Sequence, residues 1–265
     1  MIRCGINDRE EILSYIGKEY GKCLYLYVDL MKYGFDNPNV RLWLQKNAEG
    51  KNTALVLQYY TGMHVFSRDT DLEPAEVVEL IQNNQPSMVC GMETTLTKLG
   101  EVEGYEIELG MVGQLKNLSD VDTSRCIKAV KDDTRDDIRD IADFMADDEA
   151  LGKPYKDDQL YNQLVERYEQ NFGRSFMIRD EETGKVIATA STYAEEAGVA
   201  VISGVMAHPD FRGQGLAGTV LSAVCKDLKK DGFDVFSYYY IKPAERLHHR
   251  VGFETIGNWA KLVRQ

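Results

Sequence analysis

Residues 206–218 read MAHPDFRGQGLAG, and the chain continues into the apolar, helix-patterned TVLSAVCKDLKKDG. Gly213, Gly215 and Gly218 thus stand beside Arg212 at the mouth of a helix. Glycine destabilises a helix interior relative to alanine, so its clustering at the first turn points to backbone amides that something must approach closely. The unpaired N–H groups and the helix dipole favour an anion there, and Arg212 can add charge-assisted contacts. The chemistry on offer is the cradling of a phosphate-like group. The competing reading of the same residues is a tight turn that packs and binds nothing.

Such a loop needs a strand before it and a helix after it. SFMIRD, KVIATASTYA and VAVISGVMAH read as three strands joined by two tight turns, and the helix is expected over Leu216–Lys230. DVFSYYY then reads as a strand, KPAERLHHRVG as a short helix, and FETIGNWAKLV as a closing strand or pair. Upstream, CIKAV is a short strand. Two helices follow, about 136–146 with Ile138, Ile141, Ala142 and Met145 on one face, and 158–170 with Leu160, Leu164, Val165 and Tyr168. The order β–α–α–β–β–β–α–β–α–β describes a mixed α/β domain over residues 126–265.

The polar run LSDVDTSR, 118–125, is the expected linker, with residues 119–125 as its core and a first domain over 1–118. That first domain ends in the same order of elements. TALVLQYY and GMHVFS form a hairpin, a helix starts at Glu73–Pro74 with Asp71 as its cap, and SMVCGM, TTLTKLGEV and YEIELGMVGQL complete strand, helix and strand. The halves read as a degenerate structural repeat. Where the glycine loop would fall the first half has SRDTDLEPA, with three acidic side chains and no glycine. Carboxylates there satisfy the amides and repel phosphate, so one anion site per chain is expected.

Composition excludes several classes. A hydrophobic content of 43% and charged content of 28% describe a soluble globular protein. A net charge of −12 argues against nucleic-acid partners. Cys4, Cys23, Cys90, Cys126 and Cys225 form no CxxC, which speaks against a zinc site or a disulfide framework and for a reducing, cytoplasmic setting. MIRCGINDREEI lacks the apolar core of a secretory signal, and no run is long enough to span a membrane.

The segment HPDFRGQGLAGTVL is similar to the acyl-CoA signature of the GNAT N-acyltransferases, Arg/Gln-x-x-Gly-x-Gly/Ala, matched by Arg212, Gly215 and Ala217. The resemblance runs from about Cys126 to Arg264, and RLHHRVGF is similar to the later helix-to-strand signature. It implies two GNAT-like domains in tandem, the first degenerate, as in glycine N-acyltransferase-like proteins. It further implies that acetyl-CoA, or another acyl-CoA, is the co-substrate, without a metal. Arg212, Gly213, Gln214, Gly215, Leu216 and Ala217 would hold the pyrophosphate. Val205, Met206 and Ala207 would pair with the pantetheine arm, with Ser203–Gly204 near the acyl end and Gly204 marking a bulge that opens the slot. In the family's pattern Asn-x-x-Ala-x-x-Leu-Tyr-x-x-x-Gly-Phe, this chain has Ile241, Ala244, Leu247, His248 and Gly252–Phe253. His248 therefore takes the tyrosine's place and becomes the expected general acid, against the alternative of a surface histidine beside His249.

His208 is expected to order the loop, and His64 to be a satisfied strand histidine. Glu195–Glu196 is expected to be a solvated turn pair, and Tyr238–Tyr240 are core or substrate-facing. The expected reaction is acetyl transfer to a primary amine of a small molecule; the alternatives are a non-catalytic acyl-CoA sensor and a protein or peptide N-acetyltransferase. Monomer and homodimer stay open.

Overall fold

A computed structural model describes residues 1–148 and 158–265. The chain forms two compact units, Met1–Val112 with Thr255–Gln265, and Gly113–Glu254.

The first unit begins with β1 (Ile2–Cys4), α1 (Arg9–Ile16), α2 (Leu24–Tyr33), β2 (Val40–Lys46), β3 (Asn52–Tyr59) and β4 (Gly62–Phe66). It continues through α3 (Pro74–Asn84), β5 (Met88–Met92), α4 (Glu93–Lys98) and most of β6 (Tyr105–Leu115). Along β3 the residues from Thr53 to Gln58 are all buried, because both faces of this strand carry helices or core. The strand order is β1-β2-β3-β4-β5, antiparallel except where β4 runs parallel to β5. One face packs Ile12, Ile16, Leu26 and Leu30 of the first two helices; the other packs Val77, Ile81 and Leu96 of α3 and α4.

The second unit contains β7 (Ile127–Lys128), α5 (Asp137–Ala146), α6 (Gln159–Glu169), β8 (Ser175–Arg179), β9 (Val186–Glu196) and β10 (Val199–Ala207). α7 (Leu216–Lys230), β11 (Asp234–Tyr239) and α8 (Lys242–Val251) follow, and the last strand of the chain is β12 (Phe253–Arg264). Strand order is β11-β10-β9-β8-β7, with β10 and β11 the parallel pair. Asp136 caps α5 by accepting the Arg139 N–H at 3.0 Å. Val220, Leu221, Val224 and Leu228 of α7 pack one face of this sheet; Ile138, Ile141, Met145 and Leu164 pack the other.

Two departures from the sequence reading concern boundaries. The run expected as a linker begins bound into the second unit: the Ser119 N–H donates to the Val251 carbonyl (2.9 Å), and just ahead of the run those of Lys116 and Asn117 donate to Gly252 (3.0 and 3.3 Å). A side chain at Gly252, whose φ is +115°, would lie 1.8 Å from the Asn117 carbonyl, so only glycine lets this segment dock. At the other end, Trp259–Val263 of β12 pair antiparallel with Met92–Met88 of β5, which places the closing strand's residues 255–265 in the first unit. Local pattern identifies a strand; it does not say which sheet will take it.

Candidate functional site

β10 is regular for only half its length. Val199–Ile202 pair with Asp234–Ser237 of β11, and no pair is formed beyond Ile202↔Ser237. Against β9 the register shifts between Ser203 and Met206, around Gly204 with φ +58°. A left-handed glycine inside a strand is the expected signature of a bulge, and it lies where the two parallel strands cease to pair. Past it, Val205 and Ala207 pack against the α7 core and Met206 against the α5–α6 core.

The chain then turns through a single 3-10 turn, Pro209–Phe211. His208 starts that turn: its Nδ1 accepts the Asp210 N–H at 3.3 Å, and its ring packs on Phe144 and Phe211. Next come Gly213 (φ +82°) and Gly215 (φ +80°), the latter capping α7. A Cβ on either would meet no atom within 4 Å, so these glycines are required by backbone conformation while the space before them is open. The backbone N–H groups of residues 213–218 find no acceptor among the described residues. Six consecutive amides are therefore left without a protein acceptor among the described residues at the positive end of a helix with 15 residues. Arg212 is exposed and forms no ion pair with a described residue. The donor set fits a pyrophosphate: its amides lack an acceptor among the described residues, the space at Gly213 and Gly215 is uncrowded, and the Arg212 guanidinium stands beside it.

The expected acid, His248, has both ring nitrogens engaged by protein partners. His248, on α8, is buried, 3% exposed. Its Nδ1 donates to the Ala244 carbonyl at 2.8 Å, which leaves Nε2 to accept from the Ser237 hydroxyl at 2.8 Å. The ring stacks on Tyr239, with centroids 5.1 Å apart, and meets Phe253 edge-on. Burial pushes its pKa below the ordinary imidazole value, with the Ala244 bond opposing and His249 assisting. A neutral, doubly engaged ring ties α8 to β11 at the last residue of the parallel pair. The surface reading of the sequence did not anticipate this burial.

Other candidates also find structural duties. Glu195 is buried, not solvated: it accepts from Arg174 Nε (2.9 Å) and Nη2 (2.6 Å) and from Thr192 (2.8 Å), so its oxygens are engaged. Arg174 in turn binds Asp227 and Asp231 of the α7 end at 2.6 and 2.7 Å, fixing that helix to the sheet. Tyr239 is core, and Tyr240 is 40% exposed at the open end of β11. His64 lies in the first unit on β4, 3.7 Å from Asp29, and burial pushes its pKa down to about 4. Among the described residues, no helix is long and apolar enough to cross a membrane, and no three His, Cys, Asp or Glu side chains are grouped to hold a metal.

Comparison with known proteins bears on the same region. Residues 137–253 match the model of the acetyltransferase (GNAT) family. Among solved structures, a GCN5-related N-acetyltransferase from Sphaerobacter thermophilus has a TM-score of 0.63 at 17% identity, covering 90% of this chain and 84% of its own. A tandem GNAT protein from the clavulanic acid biosynthesis pathway has a TM-score of 0.58 at 12% identity, covering 98% and 96%. A protein from Drosophila melanogaster has a TM-score of 0.63 at 13% identity, covering 98% and 97%. No curated protein matches the sequence.

Proposed function

Because residues 137–253 match the GNAT acetyltransferase family, we propose that the chain transfers an acetyl group from acetyl-CoA to a primary amine of a small molecule, using the second unit. The observation that carries this reading is the run of six unpaired amides at 213–218, opened by Gly213 and Gly215 and flanked by the free Arg212. These groups would hold the pyrophosphate through Arg212, Gly213, Gln214, Gly215, Leu216 and Ala217. The half of β10 released from β11 offers the backbone of Val205, Met206 and Ala207 to the amide-bearing arm, as an added strand would.

Acetyl-CoA supplies an activated thioester. The amine nitrogen bonds to its carbonyl carbon, the C–S bond breaks, CoA leaves as the thiol, and the surplus ammonium proton passes to solvent. The protein's part is to bring the two reactants together and to offer an N–H of the bulged strand to the oxyanion. His248 enters as a positioning residue, holding α8 against the strand from which the slot opens.

Release of free CoA from acetyl-CoA across a panel of amines tests the reading. Turnover with at least one small amine is expected. Tight acetyl-CoA binding with no turnover on any small amine, but with a peptide N-terminus or none at all, would overturn it in favour of a peptide acetyltransferase or a sensor.

A further inference from the structure

Acetyl-CoA bound in this way puts its acyl end at Ser203–Gly204, and on that reading we propose that Met145 sets the length of the acyl chain the site accepts. Around Gly204 the strand has left its partners on both sides: the pairs with β11 stop at Ile202, and those with β9 resume only at Met206. In the direction a side chain on Gly204 would take, the nearest atoms are those of Met145 on α5. A Cβ built on Gly204 would lie 2.9 Å from the Met145 methyl carbon and 3.2 Å from its sulfur, so the thioether rests on the glycine itself. Ser191 Oγ is the next atom, at 3.8 Å, and it is held by Ser175 Oγ at 2.7 Å.

Met145 is 6% exposed and belongs to an apolar cluster with Ile141, Leu164 and Met177, against which Met206 also packs. The floor of the bulge is thus apolar, and its terminal atoms are those of an unbranched side chain that can change rotamer. An acetyl methyl needs no such movement. Each further methylene must displace the Met145 terminus into a packed cluster, which sets a chain limit without any polar contact. Shortening this side chain opens space where additional methylenes would go. One methylene in an apolar pocket changes discrimination about tenfold or more.

Calorimetric titration with acetyl-CoA, propionyl-CoA and butyryl-CoA needs no acceptor. The wild-type protein is expected to prefer acetyl-CoA to butyryl-CoA, and Met145→Ala to shift the ratio of their dissociation constants about tenfold toward butyryl-CoA. Met145→Val, a smaller perturbation of the cluster, should shift it in the same direction and serves if the alanine variant does not fold. An unchanged ratio in a folded variant that still binds acetyl-CoA overturns the role of Met145 alone. Failure of the wild type to bind any acyl-CoA overturns the function on which it rests, and this inference with it.

Discussion

The two halves of the chain lay out the same series: a hairpin, a loop, a helix, a strand parallel to the hairpin's second strand, a short helix and a final strand. In the second half these are β9, β10, α7, β11, α8 and β12; in the first they are β3, β4, α3, β5, α4 and β6. Both parallel pairs are short, ending at Ile202↔Ser237 and at His64↔Cys90. Beyond the pair the halves diverge. After β10 a bulge and a glycine loop leave six amides free. After β4 the strands stay in close approach: a Cβ on Gly91 of β5 would lie 2.7 Å from the Val65 carbonyl and 3.3 Å from Leu96 of α4. The loop ahead of α3 is likewise filled from within. Gln45, 1% exposed, accepts the Glu73 N–H at 2.7 Å and donates to the Glu73 carbonyl at 3.0 Å. In the first half a buried amide side chain holds both backbone groups of Glu73, the residue ahead of α3, and the strands stay close, where the second half leaves its loop open.

This contrast can be broken in three places. The largest effect is expected at the cradle. Gly215→Val puts a branched side chain at φ +80° in the open space before α7. Each hydrogen bond to a charged group contributes about 1.5–3 kcal/mol, so loss of even two weakens acetyl-CoA binding about a hundredfold or more. Calorimetry should show that loss, and one site per chain in the wild type; unaltered affinity, or a stoichiometry of two, would end the contrast between the halves.

A smaller effect is expected at His248, where alanine leaves the buried Ser237 hydroxyl without its partner and opens a cavity, at a cost of about 2–4 kcal/mol in unfolding free energy. Turnover should change only a few-fold, against about a hundredfold for a lost general acid. The pH dependence follows from the lowered pKa. The unfolded chain protonates this histidine below about pH 6.5 while the folded ring resists, so its contribution is present above that pH and is lost as the pH falls through the folded value. Wild-type stability should therefore decline on acidification more steeply than that of His248→Ala. A hundredfold loss of turnover at an unchanged melting temperature would restore the catalytic role.

The smallest effect belongs to the first half. Gln45→Ala should lower the unfolding free energy by about 1–3 kcal/mol, for the donor and acceptor left unpaired, and leave acetyl-CoA affinity as it was. A weakened acetyl-CoA affinity would show that the closed loop is not passive.

The sequence made the second half legible because its signals are local. The α7 limits and the hairpins follow from short-range patterning, as does the glycine cluster at 213 and 215, while the GNAT resemblance supplied the bulge at Gly204. Residues 1–50 carried no comparable signal, and α1, α2 and β2 came only from the structure. The partners of His248 and Glu195 were also out of reach, since Ser237 and Arg174 are brought to them by tertiary packing. Asp71 illustrates the limit in one residue. It has the right residue type for a cap of α3, yet it joins Asp69 on Lys51 at 3.3 and 3.2 Å, while Glu73 takes the cap position and Gln45 of β2 holds its backbone.

One boundary carries a consequence for how this protein is made. Trp259, Ala260 and Leu262 are buried, the last two in the core built from β3, β4 and α3, and they reach it from a position about 170 residues downstream of β5. During synthesis the first unit cannot complete its sheet when its own continuous stretch has left the ribosome. Its β5 edge waits, unpaired and apolar, until residues 255–265 emerge, by which time the whole second unit has been translated. Folding is then a closing event of high contact order, not a sequence of two finished domains. A cut or fusion that withholds this last strand should expose the nascent first half to aggregation while leaving the cradle's own residues untouched.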